Sequence, residues 1–329
     1  MTPAMPAGRT EHRPPPHGEP VVAILLSTFN GAAFLPDQLA SFCGLAKGVS
    51  WRLFWRDDGS TDSSTAIMRR FMARAGHGRC HEVLAPSRRV GATASFLFLL
   101  RHVVRLEETF DAIAFADQDD VWLPDKLQRA WSRLQALPAG QVAGYCTRQM
   151  LVDHALRPLG VSCAFPSRLS FPGALTQNLA TGCTIVLNMA AARLVARTEA
   201  PARGWHDWWC YLVITASGGN MLVDQRATLL YRQHGGNAVG ARATMLARAA
   251  GALRRGPGQF MAILSAQTER LLVYNDILTP EAKTSLDILR AGLKGRLRQK
   301  IRALRLQGLR RAGYMETLIF RLWYLIGAP

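Results

Sequence analysis

Short apolar runs alternate with stretches of helical spacing through the first half of the chain. Val21–Thr28 is almost continuously aliphatic and predicts a strand buried on both faces. Leu35, Leu39 and Phe42 then recur at helical spacing and predict a helix over Phe34–Ala46. The alternation continues with a strand at Trp51–Trp55, a helix over Thr61–Ala73, a short strand at His81–Leu84 and a helix over Thr93–Leu106. A strand at Ala112–Phe115 and a helix over Pro124–Leu137, with its proline near the start, complete the run. Repeated strand–helix units predict an α/β fold: a doubly wound, mainly parallel sheet with helices on both faces. Past residue 140 the pattern loosens. Strands are expected at Ala143–Val152, Thr184–Asn188 and Met221–Leu230, a helix over Trp205–Thr215 opening on His206-Asp207, and mostly helix after residue 240.

Composition narrows the picture. Hydrophobic residues make up 49% of the 329, enough for a sizeable core. Residues 1–20 are rich in proline, glycine and charge and lack the apolar centre of a signal peptide, so they are expected to form a disordered tail. The six cysteines are scattered, with no C-x-x-C pair, which points to reduced thiols in a cytosolic setting. The longest apolar runs, Val21–Leu26 and Leu318–Ile326, are too short to span a bilayer. The expected organisation is an α/β domain at 21–240 followed by a helical, basic C-terminal extension at 241–329.

Three polar clusters sit at predicted strand ends: Ser27-Thr28-Phe29-Asn30, Asp57-Asp58-Gly59-Ser60-Thr61-Asp62 and Asp117-Gln118-Asp119-Asp120. In open α/β sheets the ligand crevice lies beyond the carboxyl ends of the strands, so the three are expected to converge. The acidic tetrad carries the strongest chemical signal. Neighbouring ionised carboxylates repel one another and favour a cation between them. A hard ion such as Mg2+ or Mn2+ takes oxygen ligands and commonly bridges carboxylates to substrate phosphates. The plainer alternative is a solvated acidic turn capping the Pro124 helix; strand-end placement beside two other polar turns favours the metal. Neither a G-x-G-x-x-G nor a G-x-x-x-x-G-K-[ST] string occurs, which argues against dinucleotide oxidoreductases and P-loop enzymes.

In this order and spacing, Ser27-Thr28-Phe29-Asn30-Gly31, Asp57–Asp62 and Asp117–Pro124 resemble glycosyltransferase family 2, with its GT-A fold. Thr181-Gly182-Cys183-Thr184, His206-Asp207-Trp208-Trp209 and Tyr231-Arg232-Gln233-His234 are similar to the branch containing bacterial rhamnosyltransferases of surface polysaccharide synthesis. The resemblance implies that Phe29 stacks on the donor nucleobase with Ser27 beside it. Asp57 would contact the base, and Asp117 the donor ribose and sugar. Asp119 and Asp120 would ligate the metal, and Asp207 would be the general base of an inverting transfer. An N-cap role is the alternative for Asp207. His234 is either a ligand of the metal or diphosphate, or a satisfied loop residue. Gly182 either lets a backbone approach substrate closely or simply makes a turn. Arg89 stands where relatives often carry asparagine, which leaves the role of the Ser87–Gly91 loop open. No Gln-x-x-Arg-Trp follows Asp207, which favours transfer of one sugar over processive synthesis.

The expected donor is therefore a nucleotide sugar, with dTDP-rhamnose favoured by the resemblance. The expected acceptor is a glycan or lipid-linked glycan. Rivals are a UDP-hexose donor on the same fold and a non-catalytic nucleotide- or glycan-binding module.

Charge adds a partner. Of the net +17, residues 241–329 hold sixteen Lys/Arg against five Asp/Glu, and nine basic residues without an acid lie between Arg290 and Arg311. Leu286, Leu289, Leu293, Leu297, Ile301 and Leu304 recur at spacings of three and four among them. The stretch predicts a basic amphipathic helix that rests on an anionic membrane surface, at the inner face of the plasma membrane, or else packs on the catalytic domain with a solvated basic face. No nucleic acid is expected, because the segment lacks interleaved aromatics and no recognised module is present.

Overall fold

The computed structural model describes residues 18–75, 78–84, 89–166, 169–202, 204–234 and 256–327. Residues 1–17 of the expected 1–20 tail, part of the Ser87–Gly91 loop, the glycines after His234 and the start of the C-terminal extension at 241–255 lie outside the described residues. Nine strands among the described residues join in one sheet. They are β1 (Val21–Thr28), β2 (Ser50–Asp57), β3 (Cys80–Glu82), β4 (Ala112–Ala116), β5 (Val121–Trp122), β6 (Ala143–Val152), β7 (Pro158–Val161), β8 (Val186–Asn188) and β9 (Asn220–Arg232). Their order is β3-β2-β1-β4-β8-β6-β9-β5, with β7 paired to β6 off that path. The β3-β2-β1-β4 half and the β6–β9 pair are parallel, whereas β8, β5 and β7 run antiparallel to their neighbours.

The aliphatic continuity of β1 has the expected cause. Ala23 and Leu25 enter one core cluster, Val22, Ile24 and Leu26 the other, so both faces of the strand are covered. On the second face lie α1 (Leu35–Cys43), α2 (Ser64–Ala75) and α4 (Lys126–Leu134), which contribute Leu35, Leu39, Phe42, Met68, Leu127 and Leu134. On the first face lie α3 (Ala92–Val104), α5 (Phe171–Thr176), α6 (Met189–Ala196) and α7 (His206–Ala216). Trp208 through Ile214 of α7 are all buried, as befits a helix that is apolar on every side.

Some elements escaped the sequence pattern. β7 is largely exposed and has no apolar period to read. The expected strand Thr184–Asn188 is cut to β8 because Gly182–Thr184 turns as a 3-10 helix.

The expected single C-terminal helix over Leu286–Leu304 is corrected. The chain forms α8 (Pro257–Val273), α9 (Pro280–Lys294), α10 (Leu297–Leu304) and α11 (Tyr314–Ile326), with a break at Gly295-Arg296. Leu286 and Leu289 are fully buried in the same cluster as Leu264, Phe320 and Tyr324, so half of the apolar stripe is core. Leu297 and Ile301, across the break, remain exposed. Among the described residues, no helix is long and apolar enough to cross a membrane.

Candidate functional site

Strand order reverses between β1 and β4, and the polar clusters leave the carboxyl ends of β1, β2 and β4 at that switch point. They interlock. Gln118 exchanges two hydrogen bonds with the Phe29 backbone, accepting from its N–H at 2.9 Å and donating to its carbonyl at 3.0 Å. The Asn30 N–H donates to Ser60 Oγ, the Thr61 N–H to Asn30 Oδ1, and the Ala32 N–H to Asp62. A Cβ on Gly31 would lie 2.2 Å from Gln118 Oε1, so this approach requires glycine.

The carboxylate of Asp57 organises its own turn. It accepts from Thr28 Oγ1, the Gly59 and Ser60 N–H groups and Ser60 Oγ, with Gly59 at a φ of 91°. Asp58 is buried, accepting from the Arg56 guanidinium at 2.7 Å and from the Val90 and Gly91 N–H groups at the head of α3. Burial pushes its carboxyl up, but the bonds from Val90, Arg56 and Gly91 outweigh burial and hold it below the ordinary range. This bridge fixes the segment that carries Arg89, whose guanidinium carbon sits 3.7 Å over the Phe29 ring. Ser27 lies close by, with its Oγ 2.6 Å from Ser95 Oγ, and Ser95 also accepts from Arg56.

Within the tetrad the side chains part company. Asp119 is half-buried, its Oδ2 2.8 Å from His234 Nε2 at the end of β9. Asp120 is fully buried and turns inward: its Oδ1 accepts from the Arg232 N–H, and its Oδ2 is buried without a hydrogen-bond partner among the described residues. One atom each from Asp117, Asp120 and Cys183 lie within 4.8 Å of one another. Burial, then the neighbouring carboxylates, push Asp117 up to about 7 and Asp120 well above its ordinary range.

Several residues here received no role from the sequence. Lys126 is buried at the first turn of α4, with its Nζ donating to the Cys183 carbonyl at 2.9 Å and lying 4.7 Å from the centre of the Trp122 ring. Burial lowers its ammonium to about 8, while the nearby Asp120 and Asp117 charges oppose that. A lysine at a helix N-terminus works against the helix dipole, and that was the signal available in the sequence. Arg232 is buried as well. Its Nε donates to the Asp119 carbonyl, one terminal amino group donates to the His154 carbonyl, and the other pairs with Asp37 at 2.8 Å. It thereby braces the backbone of the tetrad.

Asp207 arrives from far along the chain. It sits in the first turn of α7, half-buried, accepting from the Trp208 N–H at 2.6 Å and the Gly182 N–H at 3.0 Å. Gly182 approaches His206 and Asp207 so closely that a Cβ would lie 2.7 Å from His206 Nε2. The next residue is Cys183, and the Asp207 charge is felt at Asp117. Burial raises the Asp207 carboxyl to about 6, against the bonds from Trp208, Gly182 and Asn178. Burial also drops the neighbouring His206 imidazole, stacked on Phe96, to about 3.

The arrangement brings Phe29 and the carboxylates of Asp57, Asp117, Asp119 and Asp120 together at the strand ends, where a half-buried acid on a separate helix joins them. The donor set at Asp119 and His234 suits a divalent ion. Two adjacent ligands on an octahedral ion with bonds near 2.1 Å lie about 3 Å apart, close to the spacing these atoms already have. The inner group suits such an ion less well, because burial and the charges of Asp120 and Asp117 keep the Cys183 thiol protonated and Lys126 already supplies a cation.

Residues 23–186 match the profile of Glycosyl transferase family 2. The dTDP-rhamnosyl transferase RfbG of Shigella flexneri is 26% identical over 235 residues, which span 68% of this chain and 76% of that protein. TarS 1-349 of S. aureus in complex with UDP-GlcNAc superposes with a TM-score of 0.57 at 12% identity, over 86% of this chain and 78% of that one. Another structure of TarS 1-349 gives 0.55 at 14% identity over the same shares. Those two likenesses bear on the fold, which is of the GT-A type with a helical C-terminal region. The chain is a glycosyltransferase and belongs to glycosyl transferase family 2.

Proposed function

We propose that the protein transfers a single rhamnose from dTDP-rhamnose to a growing glycan or lipid-linked acceptor, with inversion and with a divalent metal. The observation that carries this reading is the meeting of Asp207, from α7, with the tetrad after β4, through Gly182 and Cys183. The dTDP-rhamnosyl similarity supports the choice of donor. Phe29 and Ser27 receive the nucleotide, Asp57 the base, and Asp117 the ribose and sugar. Asp119 and His234 hold Mg2+ or Mn2+ on the open side, and Asp120 with Lys126 sets the charge behind them. When bound, the ion offsets negative charge on the departing nucleoside diphosphate. Asp207 takes the proton of the acceptor hydroxyl as that oxygen bonds to the anomeric carbon and the bond to the diphosphate oxygen breaks. The catalytic domain at 21–240 carries these groups, and the basic C-terminal region supports residence on the anionic inner face of the plasma membrane.

A panel of dTDP-rhamnose and UDP-hexoses, assayed by 31P NMR for nucleoside diphosphate release with and without Mg2+ or Mn2+, tests the reading. Metal-dependent turnover of dTDP-rhamnose is expected. Preferential use of a UDP-hexose would replace the donor, and donor binding without turnover of any sugar would leave a binding module.

Arg89 offers a finer check. Its guanidinium already covers Phe29, so an incoming base meets both groups. Arg89→Ala is expected to raise the donor KM about 3- to 10-fold with kcat little changed, the size of a partly desolvated cation–π contact. A fall in KM would mean that the guanidinium occludes the ring instead.

A further inference from the structure

The helix α11 is apolar on two sides. Phe320, Trp323 and Tyr324 are buried in the core, while on the outer side Met315, Leu318, Leu322 and Ile326 are 56%, 40%, 53% and 63% exposed. α10 lies against α11, tied to it by Lys300 Nζ donating to the Leu325 carbonyl at 2.9 Å. It adds Leu297, 61% exposed, and Ile301. A helix whose outer face is this apolar is unusual on a water-facing surface and marks a contact.

We infer that the outer face of α10 and α11 is the surface by which this protein docks on an anionic lipid bilayer. The inference rests on the membrane residence proposed above and moves the contact away from the Leu286–Leu293 stripe, which is core. Charge selects the occupant. Arg298 and Arg302 are exposed along α10, Arg305 is exposed just after it, and Arg321 lies among the exposed residues of α11. The single acid of α11, Glu316, is buried, and α10 has none. Among the described residues of α10 and α11 the face is therefore apolar and cationic without an exposed carboxylate, the composition of an interfacial helix on anionic lipid. A second copy meeting the same face would set these arginines against their own kind.

Sedimentation of the full chain with vesicles of phosphatidylcholine, alone or mixed with phosphatidylglycerol, tests this. The comparison uses the surface variants Leu318→Asp/Leu322→Asp and Arg298→Glu/Arg302→Glu. Wild type is expected to favour the mixed vesicles. The leucine variant is expected to lose about tenfold in partitioning to both compositions, and the arginine variant about tenfold to the mixed vesicles only. Donor turnover in solution should be unchanged in each. Wild-type binding retained by both variants would overturn the assignment of this face while leaving membrane residence standing. Failure of wild type to bind any vesicle would overturn both. A dimer in solution that the leucine variant dissociates, with no vesicle binding, would make the face an interface between copies and overturn the inference.

Discussion

Asp119→Ala is expected to lower sugar transfer by about 10³-fold or more while leaving the protein folded. The Asp119 side chain faces His234, and its backbone carbonyl, which Arg232 holds, survives the substitution. The loss should therefore fall on the metal and the leaving diphosphate, where charge stabilisation is worth several kcal/mol of the barrier. Initial rates with a titration of Mn2+ check this, with circular dichroism as the folding control. The wild-type enzyme in EDTA should fall to a comparable rate. Near-normal transfer by a folded Asp119→Ala protein, or full wild-type activity in EDTA, would count decisively against a metal on Asp119.

The second large effect is expected at Asp207. Asp207→Asn keeps the shape and most of the hydrogen bonds to Gly182 and Trp208 but cannot accept a proton at working pH. Transfer should drop about 10²- to 10⁴-fold with donor affinity retained, the usual worth of general-base catalysis. In wild type, log kcat/KM should climb as pH rises and level off above about 6, where burial has moved this carboxyl; the asparagine variant should lack that limb.

Stability supplies an independent readout. The folded carboxyl titrates above its unfolded value near 3.9, so the native state binds the extra proton and this group's contribution to stability falls as pH rises between about 4 and about 6. At neutral pH the asparagine variant, free of that buried charge, should therefore melt no lower than wild type. A marked drop in melting temperature together with loss of donor binding would make Asp207 a structural cap. A product of retained anomeric configuration would exclude the single displacement altogether.

The parallel half of the sheet was legible because its signals are local. The aliphatic run of β1, the leucine spacing of α1 and the turn chemistry of Asp57–Asp62 each occupy fewer than about a dozen neighbouring residues, the range over which periodicity and turn preferences act. Convergence of the three polar clusters followed from the sheet rule alone, and Gln118 bonding to Phe29 is its physical form. The weaker reading of the second half has an equally local cause. β7 is exposed and β5 has two residues, so neither shows a one-sided pattern.

By itself, then, the sequence determined the alternating architecture, the polar strand ends and the concentration of positive charge after residue 240. Only the tertiary structure decided which way each side chain turned. Asp120 faces inward toward Asp117 and Cys183, with Lys126 close by, while Asp119 faces out to His234, although the two aspartates are adjacent and chemically identical. Arg89 closes over Phe29 because Asp58 grips the Val90 and Gly91 N–H groups, a contact across more than thirty positions. The Leu286–Leu304 stripe divides between core and surface because packing on α8 and α11 buries Leu286 and Leu289, while past the break at Gly295 Leu297 and Ile301 are exposed. These outcomes depend on burial and on partners distant in the chain, and a pattern of neighbouring residues carries neither.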